Sequence, residues 1–260
     1  MSDPTVIAHR GFAGLFPENT VAAVEGAVEL GADAVEIDVQ PTADGDVVVV
    51  HDSRLDGAAG ERALTDGSGV VWEQPTADVT EARVLETDER VPLFATVLSA
   101  IPERVTVNVE LKNPGTDAVR PGESLGPAER TDARERWAGF VESVLAVTDR
   151  FDHDVLFSSF CEGALAAIAA VAPTERRAAL VAPNCADAGA TVARRYDVDA
   201  IHPPVSQVGT GSTIDWAAVA EDVDAALNVW TVQDWLDART ALREGADGIL
   251  ADYPHLPGAL

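Results

Sequence analysis

Chemically active side chains recur where short apolar runs of the sequence end. In chain order they are His9, Arg10, Glu36, Asp38, His51, Glu110 and Lys112. Residues two apart on a strand point to the same face, so Glu36 and Asp38 would face one direction together. The same spacing places Glu110 beside Lys112, which is the only lysine among the 18 basic residues of the chain.

These residue types together favour chemistry on a phosphate ester. Carboxylates that face one another repel, and a divalent hard cation such as Mg²⁺ or Ca²⁺ relieves that repulsion. No Cys or His cluster has the spacing of a zinc site, so we do not expect zinc. Arg10 and Lys112 would add positive charge beside such a metal. His9 and His51 can transfer protons near neutral pH, so the set predicts phosphoryl transfer or phosphodiester cleavage.

Each of these residues also has an ordinary structural explanation when it is taken alone. A histidine at a strand end is often a hydrogen-bonded structural residue, and Glu36 with Asp38 could form a solvated edge in so acidic a chain. Glu110 and Lys112 could form an exposed ion pair of small net value. The functional interpretation therefore depends on a fold that brings the whole set to one place.

Eight β-rich runs alternate with Ala-rich helical patterns along most of the chain. The predicted strands are Thr5–Ala8, Ala34–Asp38, Val105–Glu110, Val155–Ser158, Ala178–Val181, Ala200–His202, Leu227–Val229 and Gly248–Leu250. The predicted helices are Thr20–Leu30, Phe94–Ala100, Ala128–Thr148, Cys161–Val171, Ala186–Arg195, Trp216–Glu221 and Trp235–Glu244. Parallel neighbours need crossover helices, so this alternation predicts a (β/α)₈ TIM barrel, whose active face lies at the carboxyl ends of the strands. A six-stranded doubly wound sheet is the alternative, but no G-x-G-x-x-G follows the first strand.

The segment between Pro41 and Pro92 interrupts this alternation. It contains a turn around Asp44 and Gly45, a strand-like valine run that leads to His51, and a loop rich in Gly, Ala and Asp. We interpret residues 41–92 as a small insertion after the second strand and residues 1–260 as a single barrel domain. A length of 260 residues suits one domain of this kind.

The composition limits the partners of the chain. Asp and Glu number 44 against 18 Lys and Arg, which gives a formal net charge of −26. So negative a chain, with no basic patch, is not expected to bind nucleic acid or an anionic membrane surface as its main partner. Self-repulsion of this size weakens as salt shortens the Debye length, so we expect an enzyme adapted to a very salty cytoplasm.

The remaining sequence features also favour a cytoplasmic location. No apolar run reaches the roughly 18 residues of a membrane span, and the N-terminus lacks the charged and apolar regions of a signal peptide. Cys161 and Cys185 are the only cysteines, and we interpret them as reduced thiols of an intracellular enzyme. The oligomeric state stays open.

The order of short motifs along the chain resembles that of one enzyme family. The motifs are His-Arg-Gly at 9–11, Pro-Glu-Asn-Thr at 17–20, Glu-x-Asp at 36–38, His-Asp at 51–52 and Glu-x-Lys at 110–112. This set is similar to the signature of the glycerophosphodiester phosphodiesterases, which belong to the phosphatidylinositol-phospholipase-C-like barrels. The similarity continues through Phe157–Phe160, Val229–Val232 and Gly245–Pro254.

The resemblance implies roles for the candidate catalytic and metal-binding residues. By this resemblance Glu36, Asp38 and Glu110 would hold one divalent metal ion, Mg²⁺ or Ca²⁺. His9 and His51 would be the general acid and base.

The resemblance also implies a set of substrate-binding residues, namely Arg10, Lys112, Trp230, Glu18 and Asn19. Arg10 and Lys112 would contact the phosphate, and Trp230 would offer an apolar wall to the glycerol carbons. Glu18 and Asn19 would support the loop that shapes the site. Asn19 is also the expected N-cap of the first helix.

Three places depart from the usual pattern of the family. Cys161 and Glu162 stand where Asp-Pro is usual. Phe94 and Ala95 stand where an acidic pair is common, and Gln233 stands where Asn is usual. None of these changes removes a proposed catalytic group, but each could alter a helix start or the rim of the site.

The resulting prediction is a metal-dependent phosphodiesterase that hydrolyses glycerophosphodiesters to sn-glycerol 3-phosphate and an alcohol. The alcohol, the metal, the separate roles of the two histidines, and the choice between direct water attack and a cyclic phosphate stay open. The alternatives are a lysophospholipase D-type or other lipid head-group phosphodiesterase and a catalytically silent phosphate-binding barrel. An aldolase-type Schiff-base barrel that uses Lys112 is disfavoured, because nearby carboxylates stabilise the charged form of the lysine.

Overall fold

Eight parallel strands close into a barrel in the computed structural model, which describes residues 4–59, 62–209 and 212–256. The strands are β1 (Thr5–Ala8), β2 (Ala34–Pro41), β3 (Val47–Val49), β4 (Ala58–Ala59), β5 (Arg62–Ala63), β6 (Thr106–Leu111), β7 (Val155–Ser159), β8 (Arg176–Leu180), β9 (Ala200–His202), β10 (Ala226–Val232) and β11 (Gly248–Ala251). The barrel consists of β1, β2 and β6 to β11, and it closes because β1 pairs with both β2 and β11. The predicted TIM barrel is confirmed. The doubly wound sheet is wrong, because such a sheet stays open at two edges.

Helices connect the barrel strands and cover their outer faces. They are α1 (Val21–Glu29), α2 (Thr76–Glu81), α3 (Phe94–Ala100), α4 (Pro127–Thr148), α5 (Glu162–Val171), α6 (Ala186–Tyr196), α7 (Trp216–Asp222) and α8 (Trp235–Arg243). The sequence prediction missed α2, whose 6 residues are too few to show a clear helical period. Of the helices in the described ranges, none is both long and apolar enough to cross a membrane.

The two faces of β2 have opposite character. Val35, Ile37 and Val39 belong to the main hydrophobic core together with residues of α1 and α3. The alternate positions Glu36 and Asp38 therefore point into the barrel, although every residue from 34 to 40 is buried. The apolar face holds the strand against the helices, and the polar face supplies the interior with carboxylates.

Residues between β2 and α3 form a small unit after the carboxyl end of β2. Strand β3 pairs with β2 in antiparallel register, with Val39 opposite Val49 and Pro41 opposite Val47. The unit has its own apolar cluster, formed by Val48, Val50, Leu55, Leu64, Val71, Val79, Ala82, Val84 and Val91. This cluster anchors β3 just before the turn that contains His51. That residues 41–92 are an insertion into one domain spanning residues 1–260 stays a prediction.

The start of α1 differs from the prediction. Thr20 is the N-cap, because its hydroxyl oxygen accepts a hydrogen bond from the Ala23 amide at 3.2 Å. The prediction that Asn19 caps this helix is wrong. Asn19 has a φ of 60°, and its side chain bonds Asp38 instead.

Candidate active site

The carboxyl ends of several barrel strands surround a cavity of about 140 Å³. Its lining residues are His9, Arg10, Glu36, His51, Glu110, Lys112, Ser158, Phe160, Leu180, Trp230, Thr231 and Leu250. Asp38 lies directly behind this lining, in contact with Arg10 and Lys112. The fold therefore brings the predicted histidines, cations and carboxylates to one place.

Glu36, Asp38 and Glu110 form a buried carboxylate cluster. One oxygen from each residue lies within 4.8 Å of the other two. The three residues are only 2%, 1% and 7% exposed, so water does little to screen their repulsion. Burial and the neighbouring carboxylates raise the pKa of Glu36 well above its ordinary value. Burial, with Asp38 nearby, also raises the pKa of Glu110.

Asp38 is the member of this cluster that is held ionised. Burial opposes its charge, but the nearby cations, above all Lys112, hold the pKa of Asp38 below its ordinary value. The side-chain amide of Asn19 donates to Asp38 Oδ2 at 2.8 Å, and Asn19 Oδ1 accepts from the Asp38 backbone N–H at 3.1 Å. Asn19 thus supports the site through Asp38, since both of its polar side-chain atoms are already used.

The carboxylate cluster suits a hard divalent cation. Glu36 Oε1 and Asp38 Oδ1 are buried without a hydrogen-bond partner in the part of the chain that the structure describes. If all three carboxylates are ionised they outnumber the two side-chain cations Arg10 and Lys112, and a bound divalent cation would stabilise that ionised form. Carboxylate oxygens are the ligands that Mg²⁺ and Ca²⁺ prefer, so the residues present fit such an ion.

Arg10 connects the first strand to the carboxylates. Its backbone has a φ of 50°, and its N–H donates to Glu36 Oε2 at 2.9 Å. Its guanidinium donates to Glu18 Oε1 at 2.8 Å and lies 3.3 Å from Asp38 Oδ2. Burial opposes the charge, but these carboxylates raise the pKa of Arg10 overall, so the side chain stays cationic. Glu18 therefore orients an arginine that faces the cavity.

The single lysine lies between two of the carboxylates. Lys112 Nζ is 2.7 Å from Glu110 Oε1 and 3.4 Å from Asp38 Oδ1. Burial opposes its charge, but these two carboxylates raise the pKa of Lys112 overall. Its ammonium also lies 5.6 Å from the centre of the Phe160 ring, within the range of a cation–π contact. A lysine held charged in this way suits anion binding and does not suit Schiff-base chemistry.

His9 is held by a carboxylate from the opposite end of the chain. His9 Nδ1 lies 2.7 Å from Asp252 Oδ1, so Nε2 is the ring nitrogen left for the cavity. Gln233 Nε2 in turn donates to Asp252 Oδ2 at 2.7 Å. Burial lowers the pKa of His9, although the hydrogen bond to Asp252 opposes that change. The neutral imidazole, which can accept a proton, is therefore favoured near neutral pH.

His51 has a similar arrangement on the other side of the cavity. His51 Nδ1 lies 2.6 Å from Asp52 Oδ1. The His51 side chain is 30% exposed, more than the 15% of His9. Each histidine thus has a carboxylate at Nδ1 and can present Nε2 to a bound molecule.

Two aromatic side chains close another side of the cavity. The rings of Phe160 and Trp230 pack edge to face, with centroids 5.3 Å apart and an interplanar angle of 77°. Trp230 Nε1 donates to the His202 carbonyl oxygen at 2.7 Å, which satisfies its polar atom. The remaining ring surface offers an apolar wall.

Three residues belong to this site although sequence reasoning assigned them no role: Asp252, Gln233 and Phe160. A signal for Asp252 existed, since it directly follows the last barrel strand. Gln233 stands where an Asn was expected, and the structure shows that it still supplies an amide. Its contact with Asp252 arises because β10 and β11 are neighbours in the barrel.

The other two departures from the family pattern lie outside the cavity lining. Glu162 is 1% exposed, and its carboxylate accepts hydrogen bonds from Arg195 and from Tyr196. Phe94 begins α3 and is buried in the main hydrophobic core. These positions therefore serve the packing of helices.

Comparison with known proteins agrees with this geometry. Residues 9–256 match the Glycerophosphoryl diester phosphodiesterase family. The uncharacterized protein YqiK of Bacillus subtilis is 31% identical over 264 residues, which cover 98% of this chain and 97% of that protein. A glycerophosphodiester phosphodiesterase of Bacillus altitudinis is 29% identical, with 96% of this chain and 94% of the relative covered.

A solved structure is also similar over nearly the whole chain. It is that of an Oleispira antarctica phosphodiesterase in complex with the product sn-glycerol-3-phosphate. The TM-score is 0.75 at 25% identity, and the match covers 98% of this chain and 96% of that one. The chain therefore belongs to the glycerophosphoryl diester phosphodiesterase family, and it is an enzyme.

Proposed function

We propose that this enzyme hydrolyses glycerophosphodiesters to sn-glycerol 3-phosphate and an alcohol in a metal-dependent reaction. The observation that supports this most is that three carboxylates, two histidines and two cations meet at one cavity. Carboxylates suit a hard cation, cations suit a phosphate anion, and histidines suit proton transfer. The product named in the Oleispira antarctica structure supports a glycerol phosphate as the product here.

Glu36, Asp38 and Glu110 would hold the divalent ion, either Mg²⁺ or Ca²⁺. When bound, such an ion would neutralise negative charge that develops on the phosphoryl oxygens. The backbone N–H of Arg10 positions Glu36, and the side chain of Asn19 positions Asp38. In Glu36 and in Asp38, these contacts leave one carboxylate oxygen without a hydrogen bond from the described part of the chain.

Arg10 and Lys112 would bind the phosphate, because both remain charged and both face the cavity. Glu18 would keep the guanidinium of Arg10 in place. Trp230 would pack against the glycerol carbons, with Phe160 completing the apolar wall. A small diester with a polar phosphate and an apolar carbon face would match this combination.

His9 and His51 would form the acid–base pair. One imidazole removes the proton of the attacking hydroxyl, and the other protonates the leaving alkoxide. The attacking hydroxyl is that of water or the 2-hydroxyl of the glycerol, and the second route passes through a cyclic phosphate. Hydrolysis in oxygen-18 water, with trapping of any cyclic product, distinguishes the two routes.

Turnover of a substrate panel tests the proposal. The panel contains glycerophospho-choline, -ethanolamine, -glycerol and -inositol, each with Mg²⁺, Ca²⁺ or Mn²⁺ in molar KCl. We expect EDTA to abolish turnover, and His9→Ala and His51→Ala each to lower kcat by about 10²- to 10⁴-fold. His255→Ala, at an exposed histidine outside the cavity, is the control and should keep the wild-type kcat. Metal-independent binding of sn-glycerol 3-phosphate without turnover would support a silent phosphate-binding barrel instead.

Exposed apolar side chains favour a lysophospholipid as the second candidate substrate. Large examples are Leu15, Trp235, Leu236 and Tyr253, which are 51%, 51%, 47% and 38% exposed. They lie on the segments that follow β1, β10 and β11, which are neighbouring strands, so they share the active face with the cavity. An acyl chain could rest on such a surface. A kcat/KM for a lysophospholipid above that for glycerophosphocholine, lowered by Trp235→Ala, would make this the preferred substrate.

We also propose that the enzyme acts in a salty cytoplasm on a small-molecule substrate, as a single-domain protein. A net charge of −26 supports a protein that does not bind nucleic acid and does not associate stably with anionic membranes.

A further inference from the structure

Gln40 makes three close contacts directly behind the active site. It lies in β2 two residues after Asp38 and is 1% exposed. Its Nε2 is 3.0 Å from the carbonyl oxygen of Val50, 3.1 Å from that of His51 and 2.8 Å from that of Asp52. One amide group therefore serves three consecutive backbone carbonyls.

This convergence requires a particular backbone shape. In an extended strand successive carbonyls point in alternate directions, so three that meet at one atom belong to a turn. Residues 51–53 do form a bend, which begins two residues after the end of β3. Buried or half-buried carbonyls need donors, and the amide of Gln40 has two hydrogens to share among them. The shape of this turn therefore depends on a donor at position 40.

The same turn determines where the His51 imidazole lies. The hydrogen-bond partner of its Nδ1 is the carboxylate of Asp52, the next residue in the chain, so that contact moves together with the turn. Gln40 belongs to β2, the strand that also carries Glu36 and Asp38. Its amide thus connects the histidine turn to the strand of the carboxylate cluster.

We infer that Gln40 is a positioning residue for His51, because its amide holds the turn from Val50 to Asp52 at a set distance from β2. The inference rests on the proposed function, in which His51 transfers a proton. Gln40 Oε1 is buried and has no hydrogen-bond partner in the described ranges, so this side chain works as a donor only. Gln40 is also absent from the cavity lining, so it acts through His51 and not on the substrate.

Two substitutions remove the donor in different ways. Gln40→Met keeps the length of the side chain without the amide, and Gln40→Glu sets carboxylate oxygens against three carbonyl oxygens. We expect each to lower kcat by about 10- to 100-fold, the effect of moving a catalytic group by about 1 Å. KM should change much less, because the proposed phosphate-binding residues Arg10 and Lys112 are unchanged.

Gln207→Met is the matched control. Gln207 Nε2 also donates to a backbone carbonyl, that of Ala182 at 3.1 Å, and its Oε1 is likewise buried without a partner in the described residues. It lies in a short 3₁₀ helix, Val205–Gln207, and does not line the cavity. The control should therefore keep the wild-type kcat although it loses the same kind of hydrogen bond.

A double-mutant cycle with His51→Ala separates positioning from general damage. Gln40→Met should lower kcat in the wild-type background and have little further effect when His51 is already Ala. A wild-type kcat for Gln40→Met, or an equal loss in both backgrounds, overturns the inference.

Hydrogen exchange over residues 50–56 provides a readout that does not depend on catalysis. Exchange there should be faster in Gln40→Met than in the wild type or in Gln207→Met. If His51→Ala retains the wild-type kcat, the proposed function fails, and the exchange result still decides whether Gln40 holds the turn. Unchanged exchange in Gln40→Met overturns the inference in that case.

Discussion

At the scale of single residues, the contacts of Lys112 explain the presence of one lysine in a chain that otherwise uses arginine. Its ammonium fits between Glu110 and Asp38 and under the Phe160 ring. An ammonium is a compact point charge, whereas a guanidinium is a broad planar fork. A cavity of about 140 Å³ that must also admit a phosphate has little room for the fork.

Lys112→Arg is therefore expected to lose most of its turnover although the charge is conserved. The broader guanidinium would displace the bound phosphate, and a displacement of about 1 Å lowers kcat by about 100-fold. Steady-state kinetics with the preferred diester measures this, and Arg130→Lys, on α4 away from the cavity, is the control that should stay active. Near wild-type kcat for Lys112→Arg would mean that Lys112 is an ordinary ion-pair partner.

Asp252 makes a second prediction at this scale, because it determines which nitrogen of His9 carries a proton. An amide in place of the carboxylate can donate to His9 Nδ1, which favours the tautomer with its hydrogen on Nε2. Asp252→Asn is thus expected to lower kcat by about 10²- to 10⁴-fold at little cost in stability. The comparison is Asp222→Asn, since the exposed carboxylate of Asp222 pairs with Arg194 and neither residue lines the cavity. Equal kcat values for the two variants would show that Asp252 has no role in orienting His9.

At the scale of elements, β9 places a histidine in the wall of the barrel. His202 is 0% exposed, and its Nε2 lies 3.1 Å from Asn228 Nδ2. Burial lowers the pKa of His202 to about 3, from an ordinary value of 6.5. Below pH 6.5 the unfolded chain therefore binds a proton that the folded chain does not bind. Stability is lost as the pH falls from about 6.5 towards 3.

His202→Gln should remove this part of the acid sensitivity. Between pH 6.5 and pH 4.5 the free energy of unfolding of the wild type should fall by about 2 kcal/mol more than that of the variant, because the slope rises to about 1.36 kcal/mol per pH unit as the unfolded imidazole becomes fully protonated. Urea unfolding at the two pH values measures the difference. His255→Gln, at an exposed histidine, should keep the wild-type slope. The same slope in His202→Gln would show that His202 is not the group responsible.

The elements themselves were largely predictable from local patterns. The predicted bounds of β1, β9 and α3 agree with the structure, because each run is short and has clear signals at both ends. The start of β8 was placed two residues late, at Ala178, since the charged Arg176 and Arg177 obscure the apolar run. Helix α2 was missed because the fold of its surroundings, and not its own period, stabilises it.

At the scale of the whole molecule, the net charge of −26 should make stability depend on salt. We expect the Tm to rise as KCl increases from 0.1 to 2 M, because ions screen the mutual repulsion of the surface carboxylates. A variant with Glu103, Asp117, Glu135 and Glu142, all exposed, changed to amides provides the comparison. Its Tm should depend less on KCl than that of the wild type. A wild-type Tm that does not rise with KCl would contradict adaptation to high salt.

Local sequence patterns were enough to predict the order of the barrel strands and of most helices, the barrel class and the residue types gathered at the active face. Period-two alternation and the position of polar residues at strand ends are local properties, and they are visible in the chain alone. The same local patterns identified Glu36, Asp38, Glu110 and the two histidines as candidate active-site residues.

The contacts among these groups, and the residues that support them, became visible only in the folded protein. His9 meets Asp252 although 243 positions separate them, because β1 closes the barrel against β11. Asn19 bonds Asp38 instead of capping α1, and Gln40 reaches the turn of His51. Such partners depend on strand register and on the closure of the barrel, which are collective properties of the packed chain that no local pattern records.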